Sequence, residues 1–134
     1  MFFTDYNSQT DLKAFVKKIP WNNPVLEKVN AKKSDGYKVI LVSASPDVYL
    51  PAICEHLGFD GFLATKTLRD ENLLTGIFDG AVCNFDEKTR RIHEYLDGEK
   101  PEHSISYGNS KGDFEMLEFC DEAYFVNKAN IKEF

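Results

Sequence analysis

Two polar side chains, Asn109 and Asp113, follow a short strand-like segment and sit in a turn that contains two glycines. Residues 104–107 predict a strand, and the residues from Gly112 onward predict a helix. Open α/β sheets bind their ligands at the carboxyl edge, where such turns lie. Because Mg²⁺ prefers amide and carboxylate oxygens, the sequence predicts part of a magnesium site at this edge.

A second polar group follows another apolar segment. Residues 39–42 are uninterrupted apolar, which is typical of a strand buried on both faces of a parallel sheet. Ser43, Ala44 and Ser45 come next, and Pro46 suits the first position of a helix that Ser45 would cap. The Ser43 hydroxyl and the N–H groups at that helix start would then bind an anion.

Lys88 is predicted to point inward from a helix. It lies at the edge of a helix face with three apolar positions, Phe85, Ile92 and Leu96. The exposed side already carries two acid–base pairs at a spacing of four, Glu87 with Arg91 and Asp86 with Arg90. An inward lysine requires an anionic partner, because a buried unpaired charge is costly.

The elements that must position these residues alternate along the chain. Helices are predicted over 8–19, 24–34, 46–57, 85–97 and 112–120, strands over 37–43, 61–65, 104–107 and 123–126, and a β-hairpin over 66–82. Such alternation predicts an α/β fold, a three-layer sandwich with a mainly parallel sheet. A length of 134 residues suits a single domain, residues 1–134.

Composition argues against two classes of binding partner, nucleic acids and membranes. The net charge of −6 argues against a nucleic-acid partner, and no apolar run approaches the roughly 20 residues that a membrane span needs. Three scattered cysteines, Cys54, Cys83 and Cys120, predict free thiols and a cytoplasmic protein. The three histidines have no Ser or Cys partner at a recognisable spacing, so they are predicted to be surface or packing residues.

Residues 42–46, 86–88 and 107–113, together with the hairpin segment 73–76, resemble motifs of the haloacid dehalogenase superfamily of phosphohydrolases. The similarity covers residues 25–127 and points to the phosphoserine phosphatase-like branch. It implies a Rossmann-like fold, Mg²⁺ as cofactor and a small phosphorylated metabolite as substrate. In that family an aspartate attacks the phosphoryl group, and water then cleaves the aspartyl-phosphate.

The resemblance also implies roles for the candidate residues. Ser43 would donate to a phosphoryl oxygen, Lys88 would steady the phosphoryl group and the nucleophile, and Asn109 and Asp113 would serve the metal site. These four side chains are therefore expected to converge on one cleft. The metal motif of the family usually begins with aspartate, so Asn109 removes one negative charge and predicts weaker Mg²⁺ binding.

The Asp-x-Asp-x-Thr motif that carries the family's nucleophile is absent from this sequence. Its nearest counterpart is Asp5, with Asn7 where the second aspartate would stand. Three interpretations follow. In the first, residues 1–24 are the remnant of a helical cap in a chain that starts after the nucleophile. In the second, residues 2–4 are the first strand of a capless enzyme with Asp5 as nucleophile. In the third, the domain has lost catalysis and binds a phosphorylated ligand or a protein.

The nucleophile strand of the family lies between the strands that match 37–43 and 104–107. Without it, both neighbours would present unpaired backbone groups, each costing about 1–3 kcal/mol when buried. We expect that residues 1–5 fill the gap, that the two strands pair directly, or that a second copy inserts a strand and forms a homodimer.

Overall fold

The computed structural model describes residues 9–71 and 73–134, with side chains described from Leu12 onward. Its elements alternate as the sequence predicts. In chain order they are α1 (Gln9–Lys17), α2 (Asn23–Ser34), β1 (Ile40–Pro46), α3 (Leu50–Leu57), β2 (Gly61–Thr65), β3 (Thr67–Asp70), β4 (Leu73–Phe78), α4 (Asp86–Tyr95), β5 (Ile105–Gly108), a 3-10 turn (Lys111–Asp113), α5 (Phe114–Phe119), β6 (Glu122–Asn127) and β7 (Asn130–Glu133).

These elements form two compact units. The first contains residues 1–20 and 38–83, and the second contains residues 21–37 and 84–134. Neither unit is continuous in sequence, because the chain leaves the first unit after residue 20 and returns to it at residue 38.

In the first unit, β1 and β2 are parallel neighbours, and α1 lies against α3. The core is apolar: Val16 from α1 and Leu50 from α3 are each 1% exposed, and Ile53 is buried beside them. Gly58 ends α3 in the left-handed conformation, with φ of 70°, which glycine adopts without steric cost. The predicted helix stop at this residue is confirmed.

β1 is shifted from its predicted position, and all its residues are half-buried rather than buried on both faces. The strand runs to Pro46, which pairs with Thr65, and Asp47 N–H continues the ladder to the Thr65 carbonyl at 2.9 Å. Pro46 therefore ends a strand, where its missing N–H is tolerated. The helix begins at Leu50, with Pro51 in its first turn. The predicted helix start at Pro46, with Ser45 as N-cap, is wrong.

The predicted β-hairpin is confirmed as the antiparallel pair β3 and β4. Its turn includes position 72, which lies outside the described residues. Asp47 fixes the base of the hairpin, because its Oδ1 accepts hydrogen bonds from Thr67 N–H at 3.2 Å and from Thr67 Oγ1 at 2.6 Å.

The second unit contains a three-stranded sheet with the order β5-β6-β7, in which β5 and β6 are parallel and β7 is antiparallel to β6. Met116, Leu117 and Val126 are its buried apolar residues. The sequence did not predict β7, because the turn before it uses Lys128 at φ of 54° instead of glycine or proline.

The second helix, α2, is capped at its start by Asn22. The Asn22 side chain caps it by accepting from Val25 N–H at 3.3 Å and donates to the carbonyl of Lys128 at 2.6 Å. None of the residues of α2 is buried.

Within the described residues, β1 has one neighbouring strand, β2, and β5 has one, β6. Residues 1–5, which we expected to fill an edge of this kind, lie outside the described part, as does Asp5. All three cysteines are free, as predicted. None of the described helices is long and apolar enough to cross a membrane.

Candidate functional site

The anionic partner predicted for Lys88 is Asp113. Lys88 Nζ donates a hydrogen bond to Asp113 Oδ1, and the two side chains are only 8% and 7% exposed. α4 supplies the lysine from its first turn, and the 3-10 turn after β5 supplies the aspartate. The pair places one positive and one negative group in a space that water barely reaches, where each charge requires the other.

The buried side of α4 is charged, contrary to the sequence pattern. Lys88 and Arg91 are its buried residues, whereas Phe85, just before the helix, is 50% exposed. The prediction that Phe85 lies on the buried face is therefore wrong. Arg91 is buried because Glu87 pairs with it, with 2.9 Å between Arg91 Nε and Glu87 Oε1.

Arg90 also departs from its predicted pairing. Its guanidinium bonds Glu87 at 2.7 Å and Glu94 at 3.3 Å instead of Asp86. Hydrogen bonds from Arg90 and Arg91 hold the pKa of the Glu87 carboxyl at about 2, well below its ordinary value.

Asp113 organises the loop before it. Its Oδ2 accepts from the N–H groups of Asn109 at 2.9 Å and Ser110 at 3.2 Å, and from Ser110 Oγ at 3.4 Å. Burial alone raises the pKa of the Asp113 carboxyl, but the hydrogen bonds from Lys88 and the backbone, with the Lys88 charge, lower it below its ordinary value. The carboxylate is thus ionised and bound on both oxygens.

Two glycines let the loop close this tightly. A Cβ at Gly108 would lie 2.6 Å from the Cβ of Asp113, and a Cβ at Gly112 would lie 2.0 Å from Asn84 Oδ1. A side chain is excluded at Gly108, where the neighbour is the Cβ of Asp113, whereas at Gly112 the Asn84 side chain would have to move. Glycine is therefore needed in this turn because Asp113 and Asn84 lie so close to the backbone, and not because the backbone adopts a positive φ.

The segment before α4 is bonded to the same loop. Phe85 N–H donates to the carbonyl of Gly112 at 3.0 Å. Phe85 adopts φ of 48° and ψ of −132°, a backbone conformation that costs a non-glycine residue on the order of 1–3 kcal/mol. The sequence carries no signal for it, because such conformations are expected at Gly, Asn or Asp.

The predicted anion-binding segment lies in the first unit. Ser43 Oγ accepts from Ser45 N–H at 3.1 Å, and the carbonyl of Ala44 accepts from Thr65 Oγ1 at 2.7 Å. Thr65 is fully buried and also accepts from Cys83 N–H at 2.9 Å. Ser45 N–H is already bonded, and no helix starts there.

The structure thus brings together Lys88, Asn109 and Asp113, which all belong to the second unit. The approach of Ser43 to these three residues stays a prediction. Asn109 is exposed, while Asp113 is fully engaged. In the described part of the chain, no group of three or more His, Cys, Asp or Glu side chains could hold a metal ion, so these residues alone do not complete a Mg²⁺ site.

The histidines occupy surface or packing positions, as predicted. His56 and His93 are exposed, and the His93 ring packs edge-on against Phe119, with 4.6 Å between ring centroids. His103 Nε2 lies 2.9 Å from Glu122 Oε1.

Residues 2–118 match the haloacid dehalogenase-like hydrolase family. The chain belongs to this family. The match confirms the resemblance drawn from the three motifs, and its range includes Asp5 as well as Asn109 and Asp113.

Individual relatives agree with this assignment. Protein CicA of Caulobacter vibrioides is 33% identical over 91 residues, which are 67% of this chain and 40% of CicA. A phosphoserine phosphatase of Methanocaldococcus jannaschii is 26% identical over 125 residues, 87% of this chain and 59% of the relative. The chain therefore spans less than two thirds of the length of either relative. Its similarity to a phosphoserine phosphatase makes it a phosphoserine phosphatase-like member of the superfamily.

A crystal structure confirms the fold class. A protein of unknown function from Bordetella pertussis Tohama I superposes with a TM-score of 0.78 at 18% identity, over 90% of this chain and 58% of that one. The mixed α/β architecture of this chain is thus shared with that protein.

Proposed function

We propose that this family member hydrolyses phosphate monoesters of small metabolites with Mg²⁺, through an aspartyl-phosphate, and that its activity is weak. The observation that supports the proposal most is the buried Lys88–Asp113 pair. A cation shielded from water interacts more strongly with charge that develops on a transferring phosphoryl group. Asp113 holds Lys88 ready for that role.

In the proposed reaction a carboxylate attacks phosphorus, and the bond between phosphorus and the ester oxygen breaks. The leaving oxygen takes a proton from solvent and departs as an alcohol. Water then cleaves the acyl-phosphate, releasing inorganic phosphate and restoring the carboxylate. Asp5 is the candidate nucleophile. The Ser43 hydroxyl and the N–H of Ala44 would bind phosphoryl oxygens, whereas Ser45 would hold the turn through its bond to Ser43.

Two features support weak rather than vigorous activity. The sequence lacks the Asp-x-Asp-x-Thr motif, and Asn109 replaces an acidic residue of the metal motif. Mg²⁺ would take the amide oxygen of Asn109 as a ligand, and a site with this neutral ligand carries less negative charge than an all-aspartate site. We also propose a cytoplasmic location, which the three free cysteines support.

The test is hydrolysis of p-nitrophenyl phosphate by this chain, with and without Mg²⁺, compared with Asp5→Asn. A matched control is Asp35→Asn, which changes an exposed carboxyl at the end of α2. Slow Mg²⁺-dependent turnover that Asp5→Asn abolishes and Asp35→Asn leaves unchanged is the expected result. Turnover that survives Asp5→Asn would mean that another residue is the nucleophile.

A second candidate function is binding of a phosphorylated ligand without hydrolysis. It is favoured by the saturation of Asp113, whose oxygens accept from Lys88, two backbone N–H groups and the Ser110 hydroxyl. Calorimetric titration with inorganic phosphate separates the two candidates. Phosphate binding without any turnover would favour the second.

A further inference from the structure

Phe85 combines three features that rarely occur together in a residue with a purely structural role. It is apolar and half exposed, it adopts a positive φ, and it lies directly before the helix that carries Lys88. The sequence pattern of α4 predicts a buried Phe85, yet the buried positions are taken by Lys88 and Arg91. Positions at which local rules fail in this way are often functional.

The backbone of Phe85 is fixed against the site. Its N–H donates to the carbonyl of Gly112, the residue before Asp113, and its carbonyl accepts from Lys88 N–H at 3.1 Å. The backbone of Phe85 is therefore bonded to Lys88 itself and to the immediate neighbour of Asp113. Strain of this kind persists only where the surrounding structure holds it, and here both bonds do so.

Glycine would fit this conformation better than phenylalanine, because it lacks the Cβ that makes a positive φ costly. Because Phe85 is 50% exposed, it also gains only part of the stabilisation that full burial would give. The backbone conformation does not favour phenylalanine, and the described residues leave half of Phe85 uncovered. A ligand that covers the ring would account for it.

We propose that Phe85 is a specificity-determining residue whose ring contacts the organic part of the phosphate ester, so that the substrates are esters with an aromatic or otherwise apolar leaving group. The assignment rests on the proposed function, because it places the phosphoryl group at Lys88. The leaving group then lies next to the helix start, where Phe85 offers an apolar surface. Aromatic contacts of this kind contribute a few-fold to about tenfold in affinity.

The experiment compares two non-hydrolysable ligands, phenylphosphonate and methylphosphonate, by calorimetry in buffer with Mg²⁺. Both carry the same charged group, so their affinity ratio isolates the contact of the organic part. We expect the unmodified chain to bind phenylphosphonate about tenfold more tightly. Phe85→Ala should abolish that preference while leaving the affinity for methylphosphonate unchanged.

Phe85→Gly is a second variant, because glycine suits the positive φ and removes the ring without adding strain. Tyr95→Ala is the matched control, since Tyr95 is 48% exposed at the other end of α4, and it should retain the full preference. Equal affinity of the unmodified chain for both phosphonates, or a preference that survives both Phe85 variants, would overturn the assignment. If neither phosphonate binds, the proposed function fails together with it.

Discussion

At the scale of single residues, the Lys88–Asp113 pair is the most consequential feature of this chain. Removing two charges from water carries a penalty that only close pairing and further hydrogen bonds offset. Asp113 meets that condition with its backbone and Ser110 contacts, and Lys88 meets it through Asp113. Each residue therefore depends on the other for its place in the fold.

Lys88→Met removes one charge and keeps most of the apolar stem. It should destabilise the chain by roughly 3–5 kcal/mol, because the Asp113 carboxylate is left buried without its cation. Urea unfolding at neutral pH measures the change. Lys111→Met alters an exposed lysine of the same loop and should change the unfolding free energy by less than about 0.5 kcal/mol. Equal effects of the two substitutions would show that the pair is not important for stability.

At the scale of elements, the loop between β5 and α5 depends on how closely its backbone approaches Asp113. Gly108→Ala would place a methyl group 2.6 Å from the Asp113 Cβ, an atom next to the backbone that has little freedom to move. We expect a destabilisation of about 1–3 kcal/mol from this overpacking.

Gly61→Ala is the control for a glycine-to-alanine change in a strand. Its new Cβ would meet Ile40 Cδ1 at 3.5 Å, an ordinary contact, so the variant should be neutral or stabilised by about 0.5–1 kcal/mol. Both unfolding free energies come from urea titrations. A Gly108→Ala chain as stable as Gly61→Ala would contradict the steric argument.

The lowered pKa of Glu87 in α4 predicts that the free energy of unfolding depends on pH. The pKa of Glu87 is about 2 in the folded chain and about 4.3 in an unfolded one. Since the folded value is depressed, the stabilisation from Glu87 is present above about pH 4.3 and is lost as the pH falls toward 2.

The measurement is urea unfolding of the unmodified chain and of Glu87→Gln between neutral pH and pH 2. The difference in unfolding free energy between them should shrink across that window, because the contribution of Asp113 is common to both. Asp86→Asn, a change at the neighbouring exposed carboxyl, serves as the control. A difference between Glu87→Gln and the unmodified chain that is the same at every pH would contradict the assigned pKa.

At the scale of the whole molecule, the order of elements was predictable from sequence, but several boundaries were not. Apolar periodicity located the helices, and Gly58 correctly marked the end of α3. Pro46 was predicted to start a helix, but its tertiary pairing with Thr65 places it in β1. Strand β7 was not predicted, because the turn before it has no glycine or proline.

Some features of the candidate site were also predictable from the sequence, and one was not. The need of Lys88 for an anion was readable from its place on the helix, and so was the placement of Asn109 and Asp113 after a strand. The exposure of Phe85 was not readable, because the apolar pattern of α4 favoured Phe85 on the buried side. Lys88 and Arg91 are buried there instead, each paired with a carboxylate, Asp113 and Glu87.

Whether both units contribute to one site is tested by a double-mutant cycle. Ser43→Ala, Lys88→Arg and the double variant are compared for their affinity for inorganic phosphate. If both side chains contact the same phosphate, their effects should be non-additive by more than about 0.5 kcal/mol. Strictly additive effects would contradict the predicted convergence of Ser43 with Lys88, Asn109 and Asp113.

Each unit consists of two separate stretches of the chain, so the parts of one unit are synthesised at different times. All residues of the first unit have been made once Cys83 is added. The cap residue of α2, Asn22, must wait for Lys128, which is 106 positions later. At roughly 5–20 residues per second this wait lasts about 5–20 s. The Lys88–Asp113 pair cannot form until Asp113 has been made, which is 25 positions after Lys88.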